Sequence, residues 1–138
     1  MKHILSYKLF ELKLPVTHLQ DLDLDSYTPA VGSKKFNSEL KDNSVKILDD
    51  EFKPYELYDF VVTVDGELII GISHFKLSKK AGKIKAAGEL KIDDNGKIIY
   101  LNNESGHYKP TKKHLEEIHK LFNDMKLTSA QVQVQYRY

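Results

Sequence analysis

Two pairs of apolar runs in the middle of the chain predict β-hairpins. Apolar residues dominate each run, as in strands that are covered on at least one face. Each pair flanks a turn rich in Asp, Asn and Gly, residues that tolerate the left-handed backbone of tight hairpin turns. The runs are residues 60–64 and 68–72 around Asp65-Gly66, and residues 87–92 and 97–101 around residues 93–96.

The last part of the chain predicts a helix followed by a strand. Thr111 is a suitable N-cap for a helix that runs to about Met125, and its apolar residues recur on one face with helical spacing. In residues 130–138, Ala, Val and Tyr alternate with Gln and Arg, which is the pattern of a half-buried strand. We therefore expect a helix that is followed directly by a strand.

The N-terminal third has weaker patterns. Alternation in residues 2–12 predicts a strand, and the mixed, polar residues 34–53 predict a short helix and a long loop. The whole pattern predicts an α+β fold, with a mainly antiparallel sheet of about five or six strands and one main C-terminal helix packed on it. We expect residues 1–138 to form a single domain, with an acidic part in residues 1–57 and a basic part in residues 58–138.

Composition narrows the function classes. The 138 residues are 41% hydrophobic and 30% charged, as in soluble globular proteins. The chain has no cysteine, which excludes disulfides, thiolate nucleophiles and cysteine-based zinc sites. No apolar run approaches the roughly 20 residues that cross a bilayer, and the N-terminus lacks a signal-peptide pattern. We expect a protein without membrane contact, either cytoplasmic or delivered to a target cell by a route without a signal peptide.

Charge is unevenly distributed along the chain. Residues 1–69 carry 8 Lys/Arg and 13 Asp/Glu, a net charge of −5, whereas residues 70–138 carry 13 Lys/Arg and 7 Asp/Glu, a net charge of +6. Five lysines fall within residues 76–85. Such a segment attracts the phosphates of RNA or a nucleotide, or docks an acidic protein partner. The alternative interpretation is a solvated lysine-rich loop.

Two histidines and a glutamate form the candidate catalytic set. His74 follows the strand predicted at residues 68–72, and His107 lies in a loop between a strand and the helix, where functional groups concentrate. Glu89 shares a strand face with Lys91, opposite the apolar residues that face the core. These three groups meet if the two hairpins lie side by side. Further hydrogen bonds and positive charge would come from Ser73, Ser105, Tyr108, Lys76, Lys85 and Lys109.

This set suits general acid–base catalysis without a metal or cofactor. One group takes a proton from an attacking oxygen, another protonates the leaving group, and a cation offsets charge on a phosphoryl oxygen. RNA cleavage is one such reaction, because the 2′-hydroxyl is a built-in nucleophile. We predict no metal site at His114 and His119, since their spacing of five places the imidazoles on different helix faces. The alternative is that the loop around His107 is purely structural.

Four short motifs carry a resemblance over about residues 58–134. The motifs are Ser73-His74-Phe75, Ala86-Ala87-Gly88-Glu89-Leu90, Asn95-Gly96-Lys97 and Ser105-Gly106-His107-Tyr108-Lys109-Pro110-Thr111. The order of these motifs resembles a domain found in plant IQ-motif calmodulin-binding proteins and in bacterial polymorphic-toxin-like proteins. The chain departs from that pattern at Phe75 and Lys76, where the pattern has serine and phenylalanine. It also lacks an IQ motif, so calmodulin is not an expected partner.

The resemblance implies a functional set without naming its reaction. That set is His74, Glu89, Ser105, His107 and Tyr108. The order of histidine, Gly-Glu and Gly-His is also similar in layout to small toxin ribonucleases. We therefore expect a small effector or toxin-like protein that acts on RNA or a nucleotide. The alternatives are a non-catalytic protein-interaction module and ADP-ribosyl transfer, although the only arginine that could anchor such a cofactor is the penultimate residue.

Overall fold

Two hairpins lie side by side at the centre of the fold. The computed structural model of the chain describes residues 14–23, 34–72, 83–105, 108 and 110–136. The elements are β1 (Leu22–Asp23), β2 (Lys34–Lys35), β3 (Ser38–Lys41), β4 (Ser44–Ile47), β5 (Tyr58–Val62), β6 (Leu68–Ile72), β7 (Lys83–Ile84), β8 (Ala86–Ile92), β9 (Ile98–Asn102), α1 (Lys112–Asp124) and β10 (Thr128–Gln135). The strand predicted at residues 2–12 lies outside the described residues.

Both predicted hairpins are confirmed. Strand β5 pairs antiparallel with β6, β8 pairs antiparallel with β9, and β5 pairs antiparallel with β8, which joins the hairpins. Gly66 has φ 87° and Gly96 has φ 78°, so each turn uses a glycine where the backbone is left-handed. The strand order in the main sheet is β10-β9-β8-β5-β6-β2.

Helix α1 connects two parallel strands at one side of this sheet. It begins after the N-cap Thr111, whose side chain accepts a hydrogen bond from the His114 backbone N–H, and it ends at the C-cap Met125. Strand β10 then runs parallel to β9. The predicted fold, a mainly antiparallel sheet with one C-terminal helix, is confirmed. No helix within the described ranges is long and apolar enough to cross a membrane.

The prediction of a short helix and a long loop in residues 34–53 is wrong. This segment contains the edge strand β2 and the separate hairpin β3–β4. Asp42 and Asn43 have φ of 53° and 60°, so both central residues of the β3–β4 turn adopt the left-handed backbone of a two-residue hairpin turn. The Asp-Asn pair is a turn signal in the sequence. The flanking strands, however, are too short and too polar to show a clear alternation of apolar and polar residues.

Both faces of the main sheet are covered by buried apolar residues. The larger cluster includes Phe60, Leu90 and the buried face of α1, so it lies between the sheet and the helix. Strand neighbours of these residues point the opposite way and form a smaller cluster on what we call the second face. The members of the smaller cluster are Leu22, Val61, Ile69, Ile84, Ala87 and Tyr108.

Candidate functional site on the second face of the sheet

Strand β8 carries Glu89 on the second face. Leu90 and Ile92 are buried in the cluster beneath the helix, so their neighbours Glu89 and Lys91 point away from it. Both are half-buried. The predicted separation of these four residues onto two faces is therefore confirmed. Ala87 precedes Glu89 by two positions and belongs to the smaller cluster, so the apolar part of the second face borders Glu89 directly.

Strand register aligns polar residues across the sheet in what we call the polar row: Asp59, Glu89, Asn102 and Gln135. Asp59 pairs with Glu89 on one side and with Gly71 on the other. Leu101 pairs with Leu90, which places Asn102 beside Glu89 on the antiparallel partner strand, and Gln135 pairs with Asn102. The row crosses four strands without a large apolar side chain, although it adjoins the smaller buried cluster.

Asn102 fixes the position of Glu89. The Asn102 Nδ2 group donates to Glu89 Oε1 at 3.0 Å, and the Glu89 backbone N–H donates to Asn102 Oδ1 at 2.9 Å. Asn102 Oδ1 also accepts from the Glu104 backbone N–H at 2.9 Å. Asn102 is only 1% exposed, so these bonds satisfy a buried amide and orient a half-buried carboxylate.

Tyr100 extends the hydrogen-bond network towards the edge strand β10. Its hydroxyl donates to Gln135 Oε1 at 2.7 Å and accepts from Asn102 Nδ2 at 3.2 Å. Lys91 Nζ lies 5.4 Å from the centroid of the Tyr100 ring, within the range of a cation–π interaction. Glu89, Asn102, Tyr100 and Gln135 thus form one continuous hydrogen-bonded chain on the second face.

The loop after β9 is attached to the same face. Asn103 Nδ2 donates to the Pro110 carbonyl at 2.8 Å and closes the loop at its base. Tyr108 is buried in the smaller cluster, with Val61 and Ala87. Ser105 is also buried, and its Oγ has no hydrogen-bond partner among the residues that the structure describes. Two of the predicted binding residues, Ser105 and Tyr108, are therefore buried in the fold.

Lys85 is engaged within the chain. Its ammonium group lies 2.6 Å from Asp21 Oδ1 and donates to the Leu19 carbonyl at 2.8 Å, and its side chain is 10% exposed. The hydrogen bond from Lys85 lowers the pKa of the Asp21 carboxyl below its ordinary value, and nearby positive charge adds to this effect against the opposing effect of burial. Lys85 therefore anchors the segment before β1, and little of the Lys85 side chain is available to a phosphate.

The remaining predicted site residues lie outside the described parts of the chain. These are Ser73, His74, Lys76, His107 and Lys109. In the described ranges, no group of three His, Asp or Glu side chains is arranged to hold a metal ion. Of the described site residues, Glu89 lies on the second face, Ser105 and Tyr108 are buried, and Lys85 has a separate structural contact.

Asn102, Tyr100 and Asp59 were missed by the sequence analysis. In β9, Tyr100 and Asn102 are two residues apart and flank the buried Leu101, which is a period-two signal that pointed to one face. Their relation to Glu89 depends on the pairing register of β8 and β9, and a single sequence does not show that register.

A cavity of about 330 Å³ lies elsewhere, between the β3–β4 hairpin and the turn from β8 to β9. Apolar side chains such as Val45, Phe52 and Ile92 line it, together with charged residues of the two turns. None of the predicted site residues that the structure describes lines this cavity. Its lining carries no feature that links it to the polar row.

No family model, no curated protein and no solved structure matches this chain.

Proposed function

We propose that this protein is a small effector or toxin-like enzyme that cleaves RNA, or acts on a nucleotide, by metal-independent acid–base catalysis. The observation that supports the proposal is the position of Glu89. Its carboxylate is held by Asn102 on the second face, beside the cluster that contains Tyr108. His107 immediately precedes Tyr108 in the chain, and His74 comes two residues after Ile72, the end of the strand that follows β5 in the sheet.

The proposed reaction uses the 2′-hydroxyl of the substrate. One imidazole, of His74 or His107, takes the hydroxyl proton as the oxygen forms a bond to the adjacent phosphorus. The other imidazole, in its protonated form, gives a proton to the 5′ oxygen as the P–O5′ bond breaks, which yields a 2′,3′-cyclic phosphate and a 5′-hydroxyl. Glu89 assists by stabilising the protonated imidazole. Charge on the phosphoryl oxygens is offset by Lys76 and Lys109.

Incubation with total RNA and, separately, with NAD tests this proposal. We expect the wild-type protein to cleave RNA, and His107→Ala and Glu89→Gln to lower the rate by about 10²–10⁴-fold. His119→Ala, a histidine change on α1 away from the second face, is the matched control. Unchanged cleavage in His107→Ala, or no cleavage by folded wild-type protein, would refute the proposed catalytic function. Consumption of NAD instead would favour ADP-ribosyl transfer.

A second candidate is a protein-interaction module in which the loop around His107 is structural. The burial of Ser105 and Tyr108 and the bond from Asn103 to the Pro110 carbonyl favour it. In that case the wild-type protein does not cleave RNA, and Tyr108→Ala lowers the unfolding midpoint because it opens a cavity in the smaller cluster. The basic part of the chain would then bind an acidic protein partner.

A further inference from the structure

Six side chains form a two-by-three patch on the second face beside the smaller cluster. Lys91, Tyr100 and Gln133 pair across β8, β9 and β10, and Glu89, Asn102 and Gln135 form the adjacent row. We propose that Lys91, Tyr100, Gln133 and Gln135, which we call the Tyr100 subsite, bind one nucleotide of single-stranded RNA next to Glu89. This inference rests on the proposed function and specifies how its substrate is held.

The chemistry of the Tyr100 subsite matches a nucleotide in a single strand. An aromatic ring on a sheet surface offers a stacking platform to any base, and this interaction is tolerant of sequence. Lys91 Nζ lies over the ring, 5.4 Å from its centroid, and supplies a positive charge for the phosphate. Gln133 and Gln135 are exposed and carry amide donors and acceptors for base edges. Carboxylates are confined to the neighbouring row.

Tyr100 is fixed before any ligand arrives. Its hydroxyl has two hydrogen-bond partners, Gln135 at 2.7 Å and Asn102 at 3.2 Å, so the ring is held at both its Cβ and its hydroxyl end. A ring that is already oriented loses little side-chain entropy on stacking, which favours binding. A tyrosine needed only for packing would be buried with its ring in a core cluster, whereas Tyr100 belongs to neither of the two clusters.

Asn102 links the Tyr100 subsite to the proposed catalytic carboxylate. The same Nδ2 group contacts Glu89 Oε1 and the Tyr100 hydroxyl. Positions 100 and 102 are two residues apart on one strand, which separates the two rows by about 6.8 Å. That spacing is close to the length of one nucleotide in an extended strand. A base on Tyr100 therefore leaves the neighbouring phosphodiester near Glu89.

Fluorescence anisotropy with a short, 2′-O-methylated single-stranded RNA tests the Tyr100 subsite without cleavage. We expect Tyr100→Ala to weaken binding on the order of tenfold, the effect typical of losing one stacked base. Tyr100→Phe keeps the ring and should weaken binding less. Lys91→Met should reduce the slope of log affinity against log salt by about 0.7, as expected for one lost phosphate contact with a single strand.

Tyr136→Ala is the matched control. Like the half-buried Tyr100, the exposed Tyr136 has a lysine over its ring, Lys112 at 5.0 Å, but it lies one position beyond Gln135 and contacts the first residue of α1. Equal binding by wild type and Tyr100→Ala, or an equal loss in Tyr136→Ala, would overturn the subsite. If the wild type cleaves RNA and Tyr100→Ala binds normally, only the subsite fails. If the subsite variants lose binding but no protein cleaves, only the catalytic proposal fails.

Discussion

His114 lies in the first turn of α1 in a partly buried setting. Its Nδ1 atom lies 2.8 Å from Thr111 Oγ1, and its buried Nε2 atom has no hydrogen-bond partner in the described part of the chain. Burial is the main cause that lowers the pKa of His114 below 6.5, while the charge of Glu117 raises it and that of Lys113 lowers it further. The folded protein therefore favours the neutral imidazole.

We predict that this histidine makes the protein less stable as the pH falls below about 6.5. The unfolded chain takes up the proton near that value, whereas the folded chain takes it up at a lower pH. Between the two values the unfolded state binds more protons, so the free energy of unfolding rises with pH, and above both His114 contributes no slope. Urea unfolding of wild type and His114→Gln at about pH 5 and pH 8 measures the difference.

His119→Gln, a change at a half-buried histidine of the same helix, is the control. The expected result is that His114→Gln loses less stability on acidification than the wild type. Parallel pH profiles for the wild type and His114→Gln would contradict the assignment.

The sequence predicted which face of β8 a site residue lies on, but it did not predict which residues of neighbouring strands lie beside it. The face of Glu89 follows from alternation along β8, because Leu90 and Ile92 are apolar. The role of Asn102 depends on cross-strand pairing and on its own burial. Neither is predictable from one sequence, because asparagine is usually exposed. Lys85 was expected among the phosphate-binding lysines because it ends a lysine-rich run, yet its partner Asp21 is 64 residues away in sequence.

At the scale of elements, α1 holds the edge of the sheet together. Phe122 is fully buried, and its ring lies 5.9 Å from that of Phe60 on the central strand β5, at an angle of 62°. The helix also connects β9 to β10, and Lys97 Nζ donates to the Lys126 carbonyl at 2.6 Å just after the helix ends. Packing of one face of α1 thus determines whether β10 can reach its place beside β9.

We predict that Phe122→Ala lowers the free energy of unfolding by about 3–5 kcal/mol, because it removes a large buried ring and leaves a cavity. Denaturant unfolding followed by circular dichroism gives the value. Lys120→Ala, an exposed change on the same helix, should stay within about 0.5 kcal/mol of the wild type. A loss below about 1 kcal/mol for Phe122→Ala would show that the helix contributes little to the core.

Elements were predictable where local signals were long and consistent. The two hairpins had apolar runs and glycine turns, and the helix had a cap and a complete apolar face. The β3–β4 hairpin has strands of four residues, too short for alternation to stand out from noise. The parallel direction of β10 is set by its connection through α1, which returns the chain to the same end of the sheet.

At the scale of the whole molecule, the acidic and basic parts share one core. Leu14 and Phe36 belong to the larger cluster, together with the strands of the basic part. The backbone N–H of Leu14 donates to the Gly66 carbonyl at 2.8 Å, and that of Val45 donates to the Gly96 carbonyl at 2.8 Å. These contacts hold the N-terminal part on the turns of both central hairpins.

We predict that residues 58–138 alone do not fold, because the isolated part would expose the core surface that Leu14 and Phe36 cover. Thermal unfolding by circular dichroism should show no cooperative transition for this fragment, whereas the whole chain unfolds cooperatively. Mixing in residues 1–57 should restore part of the transition. A cooperative transition in the isolated fragment would instead divide the chain into two domains.

The close approach at Gly88 has a consequence for how such sequences diverge. A Cβ atom at this position would lie 2.0 Å from the Asn102 carbonyl oxygen, so a larger residue would force β9 away from β8. Descendants of this chain that lack the proposed activity should therefore keep Gly88, since the packing of β8 against β9 requires it, while Glu89 becomes free to change. The two residues of this Gly-Glu pair are therefore under different constraints. We expect Gly88 to be kept wherever the fold is kept, and Glu89 to be kept only where the proposed activity is kept.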